Sequence, residues 1–203
     1  HSHFCYSPLI DMGAVSTLPA LKNNYITFGS FNNFNKVTDE MLVVWNRILE
    51  KVPKSKLVLK SKIFNSVDGI KFVVDKKNKL AMPIERIDLR IFSSDYLEQY
   101  ADIDIALDTY PYQGGATTCE ALYMGVPVLT LVGESHGSRF GYSLLKNAGL
   151  EELICYSSAE YIDKAVVLAN NIALLQELRA SLRGLLQNSS LMNAKQYMME
   201  LEE

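Results

Sequence analysis

Cysteine is scarce. Cys5, Cys119 and Cys155 are the only three in 203 residues, and no pair stands at CxxC or other metal-ligand spacing. An odd count without such spacing argues against a disulfide framework or a cysteine-built metal site, and fits the reduced thiols of a cytoplasmic protein. Histidine is as sparse, and two of the three fall in His1-Ser2-His3. A pair at an extreme terminus has the character of a cloning remnant or a loose end, so it is assigned no chemistry. Apolar runs are short: 121–124 and 126–132 are among the longest, far below the roughly 20 residues that span a bilayer. An excess of either charge is missing too, since 20 basic and 23 acidic side chains leave a net −3. Such a surface has no cationic field to draw in nucleic acid or an anionic membrane. A period of about 34 residues, the mark of a helical repeat array, is also absent.

What is present is 48% apolar and 21% charged content, the composition of one globular domain with a sizeable core. Residues 1–18, with Pro8, Gly13 and little periodicity, read as a connector, and 19–203 as the domain. From Tyr25 onward β-rich runs alternate with amphipathic ones, as in βα units around a parallel sheet. Strands are expected at 25–31, 56–60, 86–92, 103–107 and 128–132. Between the first two, Thr38 or Asp39 can cap a helix in which Met41, Leu42, Val44, Trp45, Ile48 and Leu49 recur at helical spacing, ending before Pro53. Residues 67–79 are helix-like but charged, a short helix is expected around 96–100, and 117–124 is helical. This order predicts a doubly wound, Rossmann-like α/β sheet. Beyond Phe140 the chain is mostly helical, and the leucines of 172–186 read as a packing face.

Ligands of open α/β sheets sit at the carboxyl ends of the strands, and three loops there carry candidate chemistry. After the fourth strand comes Asp108-Thr109-Tyr110-Pro111-Tyr112-Gln113-Gly114-Gly115-Ala116-Thr117-Thr118-Cys119-Glu120. Gly114 and Gly115 let backbone approach a ligand, and Thr117 and Thr118 add hydroxyls to the free N–H groups of a starting helix. That combination suits a diphosphate. Glu120, in the first turn, can accept from a ribose. The same residues also compose a plain turn and helix cap. After the first strand, Asn32, Asn33 and Lys36 offer amides and one point charge for a phosphate, or simply an asparagine-rich turn. After the fifth, His136 and Arg139 can face the same cleft or serve structure alone.

Taken together, Ile26-Thr27-Phe28-Gly29-Ser30-Phe31-Asn32-Asn33, Leu107-Asp108-Thr109-Tyr110-Pro111-Tyr112, Thr117-Thr118-Cys119-Glu120-Ala121-Leu122, Met124-Gly125-Val126-Pro127 and Ser143-Leu144-Leu145 resemble the catalytic region of the SPINDLY and O-linked N-acetylglucosamine transferase family, glycosyltransferase family 41. The likeness runs from about residue 19 to the end. It implies a GT-B fold, in which two Rossmann-like domains face a cleft and tetratricopeptide (TPR) repeats usually precede them. It implies transfer of a sugar from a nucleotide diphosphate to serine or threonine hydroxyls of an acceptor protein, with inversion and without a metal or other cofactor. By the same resemblance Lys36 contacts the donor diphosphate and is the catalytic candidate, and Asn33 touches the donor. Gly114, Gly115, Ala116 and Thr117 form the diphosphate loop, and Glu120 holds the ribose.

UDP-N-acetylglucosamine (UDP-GlcNAc) is the favoured donor. GDP-fucose is the alternative, because the run Phe28 to Asn33 is at least as close to SPINDLY proteins, some of which are fucosyltransferases. A noncatalytic nucleotide-binding or interaction module is the alternative outside the class. The chain departs from the family pattern where Ser93 and Tyr96 replace a Lys-x-x-His pair, Ala116 a threonine and Gly115 a histidine. These changes leave the base and the sugar open. No counterpart of the upstream half or of the repeats precedes residue 19, so the chain is expected to be the C-terminal, donor-binding part of a longer protein, or a degenerate one.

Overall fold

A computed structural model of the protein describes residues 4–8 and 10–202; His1-Ser2-His3 lies outside them. Six strands, β1 (Thr27–Ser30), β2 (Lys56–Lys60), β3 (Ile87–Arg90), β4 (Ile105–Leu107), β5 (Val128–Leu131) and β6 (Ile154–Cys155), form one sheet in the order β3-β2-β1-β4-β5-β6. Every pairing is parallel. The chain therefore starts at the centre, winds out to β3, returns to β4 beside β1, and winds out the other way. Its direction reverses between β1 and β4, which leaves a crevice beyond their carboxyl ends.

The helices are α1 (Ala20–Asn23), α2 (Asp39–Lys51), α3 (Val67–Lys79), α4 (Ala116–Tyr123), α5 (Phe140–Asn147), α6 (Ser158–Ala169), α7 (Ile172–Gln187) and α8 (Ala194–Glu202). The start of α2 is fixed by Thr38, whose hydroxyl oxygen accepts from Met41 N at 3.2 Å, with Asp39 and Glu40 in the first turn to complement the helix dipole. Its six expected apolar positions are all buried. The middle of β2 and all of β4 and β5 are buried on both faces, which is why they read as continuous apolar runs rather than alternating ones. The leucine stripe of α7 is a packing face through Leu175, Leu182 and Leu186, but it also seats Arg179. That guanidinium is 2% exposed and donates to the carbonyls of Ser16, Tyr100 and Ile103. The segment before α1 packs on the same core, with Met12 and Leu18 buried.

Five strands and the winding order follow the sequence pattern; several details differ. Strand β2 keeps its expected bounds, and the other four are shorter than their expected runs. The helix expected at 96–100 is a 3-10 turn at Glu98–Asp102, so the β3–β4 connection crosses without a full α-helix. Helix α4 begins at Ala116 rather than Thr117, which moves Glu120 from the first turn to the start of the second. Strand β6 was not anticipated: two residues carry no periodicity, and only pairing with Thr130 and Leu131 makes them a strand. Among the described residues no helix is long and apolar enough to cross a membrane.

Candidate functional site

The crevice is organised by Asp108, the first residue past β4. Its side chain is 2% exposed. Oδ1 accepts from Thr109 N at 2.8 Å, Gly114 N at 2.7 Å and Asn32 Nδ2 at 3.1 Å, and Oδ2 accepts from the Thr130 hydroxyl at 2.8 Å. Burial pushes the carboxyl up to about 6 against the pull of these donors. One carboxylate thus ties together the loop after β1, the loop after β4 and strand β5. Asn32 extends the tie, because its Oδ1 accepts from the Thr117 hydroxyl at 2.6 Å. Both ends of that amide are spent on the protein, so Asn32 shapes the site from beneath.

The loop passes through a cis Tyr110–Pro111 peptide and reaches Gly114, where a side chain would press within 2.6 Å of the Thr117 and Thr118 hydroxyl oxygens. Only glycine fits that approach. Gly115 stands at the N-cap of α4 with no side-chain cap, and while Thr118 N donates to Gly115 O at 3.1 Å, the N–H groups of Ala116 and Thr117 stay open to a ligand. Lys36 ends a 3-10 turn (Phe34–Lys36) whose start is pinned by Asn33 accepting from Asn35 N at 3.1 Å. Its ammonium donates to the Gln113 carbonyl at 3.0 Å and lies 4.3 Å from the centroid of the Tyr112 ring. Burial lowers its pKa, and the Asp108 charge opposes that shift. Gln113 is itself locked: its amide donates to Leu131 O and accepts from Gly141 N, both at 2.6 Å.

Beside this loop opens a cleft of about 360 Å³, lined by Asn33, Ala116, Thr117 and Glu120 from the expected set and by Lys60, Lys62, Phe92 and Tyr96 from outside it. Burial raises the Glu120 carboxyl, and the Tyr96 hydroxyl donates to its Oε1 at 2.8 Å, which works the other way. Lys60 is 3% exposed and donates to Ile91 O at 2.8 Å and to Ser93 Oγ and Gln99 Oε1 at 3.0 Å each. Lys62 lies 4.9 Å from the Phe92 ring, which stacks on Tyr96 at 5.8 Å. The walls are therefore cationic and aromatic on one side, with a carboxylate and helix N–H groups on the other.

Not every expected residue reaches this cleft. Thr118 is 2% exposed and faces an inner void below Gly114. His136 packs edge-on to Phe140, and Arg139 stacks over Tyr142 at 4.8 Å while donating to Gly133 O at 3.4 Å; neither lines the cleft. Sequence reasoning gave Lys60 no role beyond closing the second strand. A lysine at the carboxyl end of a buried parallel strand was the available signal. Ser93 and Tyr96, noted only as departures, turn out to face Lys60 and Glu120 respectively.

Strand order, crevice and glycine loop make this a Rossmann-like domain with its open loops at the switch point, the architecture of one half of a GT-B glycosyltransferase. A sequence profile described as Glycosyl transferase family 41 matches residues 14–201. The chain is 42% identical over 204 residues to the "Probable UDP-N-acetylglucosamine--peptide N-acetylglucosaminyltransferase SPINDLY" of Petunia hybrida, covering 99% of this chain and 22% of that protein. It is 41% identical to the protein of the same description from Arabidopsis thaliana, over 98% of this chain and 22% of the relative. Among solved structures, a K341M mutant of the Thermobaculum terrenum O-GlcNAc transferase superposes with a TM-score of 0.85 at 34% identity, over 98% of this chain and 38% of that one. The chain belongs to glycosyl transferase family 41. It spans less than a quarter of the length of these curated relatives.

Proposed function

We propose that this chain holds the nucleotide diphosphate of a sugar donor and that, within a longer polypeptide, it is the donor half of an inverting protein O-glycosyltransferase. The favoured reaction moves N-acetylglucosamine from UDP-GlcNAc to a serine or threonine hydroxyl. The observation that carries the reading is Lys36: a cation with no carboxylate in bonding contact among the described residues, set against the Gly114 loop at the N-terminus of α4. As the bond from the anomeric carbon to the leaving oxygen breaks, negative charge grows on the diphosphate. Lys36 and the first-turn N–H groups of α4 are placed to stabilise it without reorganising. Glu120, which lines the cleft beside this loop, suits a ribose hydroxyl. The names of the family relatives support the sugar and the peptide acceptor. The acceptor hydroxyl and its base would come from the rest of the polypeptide, along with any TPR repeats.

The base has a second reading. Ser93 and Tyr96 stand where the family's Lys-x-x-His pair is expected, and they are engaged with Lys60 and Glu120. This favours a base contact different from that of the N-acetylglucosamine transferases, so GDP-fucose enters the test. A thermal-shift panel of UDP, GDP, UDP-GlcNAc and GDP-fucose decides it, since a ligand at 100 times its dissociation constant adds about 2.7 kcal/mol. Selective stabilisation by UDP-GlcNAc and UDP supports the favoured donor. A GDP-only response replaces it, and no response to any of the four removes the donor reading.

A further inference from the structure

We infer that Tyr112 is a positioning residue that holds the Lys36 ammonium over the diphosphate loop while leaving its charge unpaired. The inference rests on the donor reading above and deepens it. A lysine this enclosed is usually neutralised by a carboxylate, but no ion pair to Lys36 occurs among the described residues, and Asp108 already accepts from four donors of its own. What surrounds the ammonium is an aromatic face at 4.3 Å and the Gln113 carbonyl at 3.0 Å. A ring face attracts a cation through its quadrupole without adding negative charge. No carboxylate bonds to the ammonium among the described residues, so it stays available to an incoming anion, with Asp108 acting on it only through space.

The ring is itself held in place by further contacts. Phe140 meets it edge-on at 5.7 Å, and a side chain at Gly137 would come within 3.1 Å of its Cδ2. Its backbone is fixed at both ends: Tyr112 O accepts from the Thr109 hydroxyl at 2.7 Å, and the next residue, Gln113, donates its N–H to Gly137 O at 2.9 Å. Yet the side chain is 52% exposed. A large ring pinned this carefully at the surface contributes little to the core, and the group it faces is Lys36. When a diphosphate arrives, Lys36 exchanges the Gln113 carbonyl for a phosphate oxygen and stays on the ring.

Two measurements on the chain test this. In the nucleotide-free protein, the Lys36 ε-methylene proton signal, assigned by its loss in Lys36→Arg, is expected upfield from ring current. It should stay there in Tyr112→Phe and move to the free-lysine position in Tyr112→Leu. By calorimetry, Tyr112→Leu should weaken UDP by about three- to tenfold while leaving uridine unchanged, and Tyr112→Phe should restore UDP affinity. An unshifted Lys36 signal in the wild type overturns the inference. So does loss of UDP affinity in Lys36→Ala with none in Tyr112→Leu, a result that leaves the donor reading standing. If the wild type binds neither UDP nor GDP, the donor reading falls and this inference falls with it.

Discussion

The Tyr96 hydroxyl donates to Glu120 Oε1 at 2.8 Å, joining the β3–β4 connection to helix α4 across the cleft. One carboxylate oxygen is thereby oriented by the protein, on a residue that lines the cleft.

Glu120→Ala is expected to weaken uridine and UDP, or guanosine and GDP, by the same factor, because a ribose contact is common to each pair. Tyr96→Phe should do the same more mildly, by roughly three- to tenfold, the net worth of about 1 kcal/mol for one hydrogen bond. Its pH profile adds a sign. Burial raises the Glu120 carboxyl above its ordinary value of 4.5 and the Tyr96 bond holds it down. Without that bond, loss of nucleoside affinity on acidification should begin at a higher pH than in the wild type. Calorimetry across acidic pH reads both effects, and a profile unmoved by Tyr96→Phe would count against the pairing.

Lys36→Ala should separate phosphate from nucleoside. UDP or GDP affinity falls, uridine or guanosine affinity stays, and the loss shrinks at high salt as the charge is screened. In a full-length enzyme kcat should fall more than KM rises, by about 10² to 10³, since the leaving oxygen carries more charge in the transition state than in the bound donor. Equal loss of nucleoside and nucleotide would instead mark Lys36 as a support for its loop.

Asp108→Asn should destabilise the fold and abolish nucleotide binding together. The amide keeps one oxygen for Thr109 N, Gly114 N and Asn32 Nδ2, but without the charge that strengthens those bonds, and it puts two hydrogens where Oδ2 accepted from the Thr130 hydroxyl. Each buried donor left without an acceptor costs about 1–3 kcal/mol. Urea denaturation measures the first effect and calorimetry with UDP the second. Unchanged stability would show that these donors are satisfied without the carboxylate.

Asp104, at the amino end of β4, gives a pH test of stability. It accepts from Ala20 N at 2.9 Å and Thr27 N at 2.8 Å, and burial pushes it from 3.8 up to about 6. The folded state then holds a proton that the unfolded chain has released, so its contribution is fully present below about pH 4 and is lost as pH rises through about 6. The stability of the wild type relative to Asp104→Asn should therefore decline across that window, by up to about 3 kcal/mol. A flat difference curve from urea midpoints between pH 4 and 7 would refute it.

How far the site could be read in the sequence depended on how local each cause is. Gly114-Gly115 before a helix start, and Lys36 between a strand and a capped helix, carry their signal within a few residues, and both stand at the crevice. The burial of Thr118 and the double engagement of Asn32 depend on Asp108, 76 residues from Asn32 in sequence, and no local pattern announces that. Lys60 hid for a related reason: its three acceptors lie 31, 33 and 39 residues away. Strand β6 owes its existence to β5 alone. Periodicity reports which face of an element is buried, but not which distant polar groups meet behind it.

The Asp108 hub also bears on how this site could be re-engineered. Because one anion is shared by the loop after β1, the loop after β4 and Thr130 of β5, those segments are not independent cassettes. Swapping the glycine loop from a relative with another donor would import new ligand contacts but strand the old partners of the carboxylate. Substitutions at Asn32, Gly114 and Thr130 should then be non-additive in double-mutant cycles, and a successful graft would have to carry all three positions at once.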